Sequence, residues 1–182
     1  MVPESFPARK TLVFLGDSLT EFFDWQRRFP RYRVLNRGIA GEPVEGLLYR
    51  MDEVLSSADA PDFIFLMTGI NNIAADEYDF IGTYRKILST LRSSFRETTV
   101  VVQSILPVAL PWVDNKAIER TNVLLRELAK ECKTDYLDLF PTFLDGEGIA
   151  VADYLLGDGV HLSPRGYETW STAVENFIAA KT

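Results

Sequence analysis

Short, continuously apolar runs alternate along this chain with longer stretches in which apolar residues recur every three or four positions. The first run is Thr11-Leu12-Val13-Phe14-Leu15, closed by Gly16-Asp17-Ser18. Tyr32 to Ile39 is the second, Asp62 to Met67 the third, Thr99 to Leu106 the fourth and Tyr136 to Phe140 the fifth. A run that is apolar throughout, rather than at alternate positions, predicts a strand buried on both faces, as in a parallel sheet. Between the runs, Val44, Leu47, Leu48, Met51, Val54 and Leu55 share one helical face. Tyr84, Ile87, Leu88, Leu91 and Phe95 share another, and Ile118, Leu124, Leu125, Leu128, Ala129 and Cys132 a third. Ser163-Pro164, an N-cap followed by proline at the first helical position, opens the last helix. That helix carries Tyr167, Trp170, Val174, Phe177 and Ile178. Strand and helix in repeated alternation predict a doubly wound α/β domain with right-handed crossovers. No repeat, linker or shift of composition divides the chain, so 1–182 is read as a single domain.

Composition narrows the function classes. A chain of 182 residues, 47% hydrophobic and 25% charged, is long enough for a sizeable core and ordinary for a soluble protein. Its net charge of −7 argues against nucleic acid as a partner, because phosphate binding depends on Lys and Arg. The single cysteine, Cys132, cannot form an intramolecular disulfide and is expected to be a buried apolar residue. Met1 to Lys10 contains no apolar segment of the signal-peptide kind. The best apolar stretch, Thr99 to Val113, is broken by Gln103, Ser104, Pro107 and Pro111, so no integral membrane association is expected. These features together predict a cytoplasmic location.

The chain has one histidine, His161, in Asp158-Gly159-Val160-His161-Leu162-Ser163-Pro164. A serine nucleophile needs a base that is neutral near pH 7 and able to take a proton, which suits imidazole. Taken alone, His161 reads better as a surface histidine ahead of a helix. The candidate polar residues nevertheless do not scatter. Ser18 follows the first run, Asn36 to Gly41 the second, Gly69-Ile70-Asn71-Asn72 the third, and Asp158 with His161 the fifth. In an open parallel sheet the strand carboxyl ends lie on one edge, where ligands bind. Each motif is weak by itself; all of them in this order converge on one site.

On these blocks the chain resembles the SGNH hydrolases, the GDSL esterase/lipase superfamily. The matching blocks run from Gly16 to His161. The resemblance implies a flavodoxin-like three-layer α/β/α sandwich with a parallel sheet of about five strands. It implies Ser18 as nucleophile, Gly41 and Asn71 as oxyanion donors, and Asp158 with His161 as the acid–base pair. Asn72 departs from the aspartate that many members carry there, and the Gly-x-Asn-Asn form resembles the branch of platelet-activating-factor acetylhydrolase-like proteins. The Gly16-Asp17-Ser18-Leu19 turn differs from the Gly-x-Ser-x-Gly elbow, which disfavours the α/β-hydrolase fold.

The roles follow from the side chains. Ser18 Oγ attacks a carbonyl while its own backbone N–H, the Gly41 N–H and the Asn71 amide face the developing oxyanion. His161 takes the serine proton and returns it to the leaving group. Asp158, or a backbone carbonyl in its place, fixes the imidazole tautomer. The expected activity is hydrolysis of a small-molecule carboxylic ester through an acyl-enzyme, with no metal and no organic cofactor. Phe22, Phe23 and Trp25, then Leu110 to Val113, then Leu155 and Leu156 offer an apolar rim or ordinary packing in about equal measure. Phe22, Trp112 and Leu156 are the substrate-contact candidates. Arg27, Arg28, Arg31, Arg33 and Arg37 read as a solvated basic face rather than a site for an anionic leaving group.

Two other classes remain in view. A non-catalytic flavodoxin-like binding or receiver module would need an acidic cluster at the first strand end, where Asp17 stands alone. A metal-dependent phosphohydrolase using Asp17, Asp158 and His161 would need several hard oxygen ligands around an open site. Ser18 and Asn71 suit an oxyanion better. Short acyl esters, lysophospholipids, thioesters and O-acetylated sugars all stay open as substrates, and the oligomeric state is not legible.

Overall fold

The computed structural model describes residues 9–181. Its strands are β1 (Thr11–Gly16), β2 (Arg33–Gly38), β3 (Phe63–Met67), β4 (Thr99–Gln103) and β5 (Asp135–Leu137). They pair in parallel in the order β2-β1-β3-β4-β5. This is the flavodoxin-like order, and it reverses direction between β1 and β3, where a crevice opens at the strand carboxyl ends. Gly16 stands level with Gly38 on one side and Met67 on the other. The loops after β2, β1 and β3 therefore leave the sheet side by side.

The inner strands β1, β3 and β4 bury both faces because their apolar residues serve two cores, whereas the edge strands β2 and β5 are only half-buried. Val13, Leu15, Ile64, Leu66, Val100 and Val102 point into one. The helices on that face are α3 (Val44–Tyr49), α4 (Met51–Ser56), α5 (Ile70–Ala74), α6 (Ile81–Ser94) and α7 (Asn115–Glu131). Leu12, Phe14, Phe63, Phe65, Met67 and Val101 point into the other. That face is covered by α1 (Ser18–Glu21), α2 (Trp25–Arg28) and α8 (Pro164–Lys181). Helices on both faces of one sheet make the three layers. In the second core Phe14 stacks on Trp25 at 3.9 Å between ring centroids, and Trp25 meets Trp170 edge-on at 4.8 Å.

Several boundaries differ from the apolar pattern, each for a local reason. The fourth run ends as a strand at Gln103, because Asn122 takes over the backbone of Ile105, accepting from its N–H and donating to its C=O, both at 2.8 Å. The fifth strand stops at Leu137, since Ser104 Oγ accepts from both Leu139 N–H and Phe140 N–H at 2.8 Å. Pro141, which has no N–H for a ladder, then lies in a 3₁₀ turn, Phe140–Phe143. The helical face over 44–55 is two helices, broken at Arg50. Cys132 is half-buried at the end of α7 rather than fully enclosed, and partial burial pushes its thiol pKa up. Ser163 caps α8 as expected, its Oγ accepting from Gly166 N–H at 3.2 Å. Among the described residues no helix is long and apolar enough to cross a membrane. The reading of Met1 to Lys10 falls mostly outside the described residues.

Candidate active site

Where β1 ends, Asp17 caps α1 by accepting from Leu19 N–H at 3.0 Å, and Ser18 is the first residue of that helix. So short a helix is not stable on its own propensity. Its carbonyls are instead held by side chains from elsewhere in the fold. Trp25 Nε1 donates to Thr20 O at 2.9 Å, and Tyr167 Oη donates to Leu19 O at 3.0 Å. Asn36 Nδ2 lies within 3.0 to 3.2 Å of the carbonyls of Thr20, Glu21 and Phe23. Tyr167 in turn stacks on Phe23 at 4.5 Å.

Opposite Ser18 stands the segment that leads into α8. Asp158 Oδ1 accepts from the N–H groups of Val160 and His161 at 2.9 Å each, closing a tight turn. Gly159 occupies a left-handed conformation at φ 76°, and its carbonyl accepts from Ala109 N–H at 2.7 Å. The turn is thereby pinned to the chain that follows β4. His161 Nδ1 lies 2.8 Å from Asp158 Oδ2, and its Nε2 lies 3.0 Å from Ser18 Oγ. These hydrogen bonds, with the Val160 N–H bond the largest contribution and the imidazole next, hold the Asp158 carboxyl down at about 2. An ionised Asp158 accepts the Nδ1 hydrogen, which leaves the Nε2 lone pair facing the serine.

Gly41 and Asn71 come from the loops after β2 and β3. Ile39 to Glu42 form a tight turn, with Glu42 N–H donating to Ile39 O at 3.2 Å. Gly41 sits in it at φ 75° with open space where a Cβ would be, so the turn conformation, not crowding by protein, selects glycine here. Asn71 Nδ2 donates one hydrogen to Glu42 O at 3.0 Å, which leaves the second free for another acceptor. Among the described residues neither the Ser18 N–H nor the Gly41 N–H has an acceptor. Ser18, Gly41, Asn71, Asp158 and His161 all line one open hollow of about 350 Å³, together with Phe22, Ala40, Ile70, Ala74 and Val160.

Of the substrate-contact candidates, Phe22 lines this hollow and packs beside the His161 ring at 5.4 Å. Trp112 and Leu156 are exposed, at 69% and 48%, but do not line it. Trp25 is no rim residue; it is 1% exposed, in the core under α1. None of the five clustered arginines lines the hollow either. Arg28 pairs with Glu175 at 2.5 Å, and Arg37 Nε donates to Ser57 at 3.0 Å.

Asp17 is 1% exposed, and burial, the largest influence on it, pushes its carboxyl from 3.8 up to about 7. The Leu19 N–H and the nearby His161 act in the opposite direction. It is an internal cap rather than an open ligand. Among the described residues no three acidic, imidazole or thiol groups gather as metal ligands would.

Asn72 has a structural part that its position beside Asn71 did not signal. It is buried, accepts from Val44 N–H at 2.9 Å and donates to Glu45 at 2.8 Å. It thus caps α3, whose own N-cap, Pro43, makes no side-chain cap bond. Glu42 and Arg50 escaped the reading of the sequence, and so did the hydrogen bonds by which Asn36 and Tyr167 hold α1. Single polar residues inside apolar patterns carry no local sign of their distant partners.

A family model described as the GDSL-like Lipase/Acylhydrolase family matches residues 14–169. Platelet-activating factor acetylhydrolase IB subunit alpha1 of Pongo abelii is 26% identical over 183 residues, covering 97% of this chain and 79% of that protein. A solved structure from Streptococcus pneumonia, provisionally described as a platelet activating factor, superimposes with a TM-score of 0.86 at 28% identity. It covers 94% of this chain and 85% of its own. An acetyl xylan esterase superimposes with a TM-score of 0.77 at 21% identity, over 92% of this chain and 99% of its own. At that identity the likeness is one of fold.

Proposed function

Starting from a chain that belongs to the GDSL-like Lipase/Acylhydrolase family and is a carboxylic ester hydrolase, we propose that it works through an acyl-enzyme on Ser18, as a single domain. The observation that carries this reading is the unbroken hydrogen-bonded chain from Asp158 through His161 to Ser18 Oγ, at 2.8 and 3.0 Å. Ser18 Oγ forms a bond to the ester carbonyl carbon as its proton passes to His161 Nε2. The carbonyl oxygen becomes an oxyanion beside the Ser18 N–H, the Gly41 N–H and the free hydrogen of Asn71. The carbon–oxygen bond to the leaving group breaks as His161 gives that oxygen the proton. Water then repeats the sequence on the acyl-serine, releasing the carboxylic acid and restoring Ser18. One preorganised oxyanion donor is typically worth ~3–4 kcal/mol of barrier, so these donors and the base between them supply the main lowering.

The acyl group favoured by the site is short. The hollow, of about 350 Å³, is lined beside Ser18 by the small or apolar residues Ala40, Ala74, Ile70 and Val160. The similar platelet-activating factor acetylhydrolase subunit is an acetyl-ester hydrolase by name. A fluorophosphonate should label the protein once per chain, at Ser18, with no effect of a chelator. Ser18→Ala should abolish both labelling and hydrolysis of acetyl esters. Turnover above a few per cent of wild type in that variant would show that another group is the nucleophile.

A further inference from the structure

Glu42 and Arg50 form an ion pair in which each side chain is only 9% exposed. It is bidentate, with Arg50 Nε 2.6 Å from Glu42 Oε1 and Nη2 2.7 Å from Oε2. Neither residue lines the hollow, so neither is placed to touch substrate. A buried ion pair is a poor source of net stability, because desolvation of two charges offsets most of their attraction. Its value has to be sought in the geometry it imposes.

That geometry centres on the turn that carries Gly41. Arg50 Nη2 also donates to Arg37 O at 2.8 Å, so one guanidinium grips the backbone before the turn and the side chain after it. Glu42 is tied through three of its groups. Its N–H closes the turn on Ile39 O, its carboxylate is held by Arg50, and its carbonyl receives the Asn71 amide. The Gly41 N–H and the Asn71 side chain are thereby set relative to each other by one residue. The Glu42 stem lies against Gly46 in α3, where an added Cβ would come within 2.7 Å of Glu42 Cγ. The carboxylate, fixed by the guanidinium fork, cannot swing aside to make room.

We propose that Arg50 and Glu42 are positioning residues, a clamp that holds the Gly41 and Asn71 donors at the spacing an oxyanion requires. The inference rests on the assignment of those donors under the proposed mechanism. Lysine cannot replace the clamp, because an ammonium is a point charge without the planar fork. A displacement of about 1 Å in a catalytic group costs as much as 10²-fold in rate. Arg50→Lys, Arg50→Met, Glu42→Gln and Gly46→Ala should each therefore lower kcat by roughly 10- to 100-fold on p-nitrophenyl acetate. KM should stay within about threefold of wild type, because the donors act chiefly in the transition state.

The test measures kcat, KM, the rate of Ser18 labelling by a fluorophosphonate, and the thermal midpoint, for wild type and each variant. Labelling should slow in parallel with kcat. The Glu42→Gln/Arg50→Met double variant should fall no further than its worse single variant, because both remove one device. If Arg50→Met does not fold, Arg50→Lys and Gly46→Ala carry the test. Folded variants that keep wild-type kcat, or that lose thermal stability alone, overturn the clamp. A rise in KM at constant kcat overturns it too, since that would make Arg50 a substrate-binding group. Absence of labelling at Ser18 in the wild-type protein is a different failure. It removes the nucleophile assignment, and the clamp goes with it.

Discussion

Asp158 does two jobs with two oxygens. Oδ1 holds the turn through the Val160 and His161 N–H groups, while Oδ2 takes the imidazole hydrogen. An asparagine can keep the first job and must reverse the second, because its NH₂ would donate to Nδ1 and leave the hydrogen on Nε2, facing Ser18. Asp158→Asn should therefore fold normally and lose roughly 10³–10⁴ in kcat, the cost of the wrong tautomer. A loss of less than tenfold would show that a backbone group orients the ring instead. Asp158 is held at about 2, below its ordinary 3.8, so it stays ionised throughout the working range. Its protonation should leave no step in the activity profile above about pH 4. The residue types and their order were legible in the sequence, where Asp158 and His161 stand three apart beside a Ser18 turn. The partner of Nδ1 was not, since carboxylate and carbonyl are equally reachable across so short a turn.

At the scale of elements, the site is assembled from loops whose conformations are fixed by distant contacts. The Asp158–His161 turn is the clearest case. Gly159 combines φ 76° with a carbonyl bonded to Ala109, and a Cβ there would lie 2.9 Å from Ala109 O. Gly159→Ala incurs both a strained φ and a clash with backbone, so the turn must move. The expected result is at least a tenfold fall in kcat together with destabilisation of roughly 1–3 kcal/mol. Denaturant unfolding and steady-state kinetics on one preparation check this, and wild-type values for both would mean that the turn tolerates the side chain. Apolar periodicity located β1, β3, β4, α6 and α7, because burial on two sheet faces or one helical face leaves a direct imprint. It overran the ends of β4 and β5, because Asn122 and Ser104 intercept the backbone there from outside the run. It also ran through the break at Arg50, which has no apolar signature.

The whole molecule carries a buried charge cost at Asp17. The carboxyl ionises near 3.8 in an unfolded chain and near 7 in the folded one, chiefly through burial. Between those values the folded state keeps a proton that the unfolded state has released. Stability from this group is complete below about pH 4 and is lost as pH rises through about 7. Asp17→Asn keeps an oxygen for the Leu19 N–H and removes the ionisation. The drop in thermal midpoint between pH 5 and pH 8 should then be smaller in the variant than in wild type. Parallel profiles would show that Asp17 ionises alike in both states.

By itself the sequence determined the layers of this protein and the edge on which its chemistry gathers. Continuous apolar runs point to a parallel sheet, which collects its loops at one end, and so placed the blocks of Ser18, Asn36 to Gly41, Gly69 to Asn72 and Asp158 to His161 on one edge. The resemblance to the SGNH hydrolases picked Gly41 and Asn71 out of those blocks. Only the tertiary structure decided which neighbours hold them. Trp25 and Phe22 lie three residues apart in one aromatic segment, yet one is sealed in the core and the other borders the hollow. Asn71 and Asn72 are adjacent, yet one faces the hollow and the other caps α3. Arg50 reaches back past α3 to grip the turn at Gly41. The physical reason is common to these cases. Burial is read from local periodicity, because it acts on every residue of an element, whereas a hydrogen bond between residues far apart depends on where the completed fold brings two particular atoms.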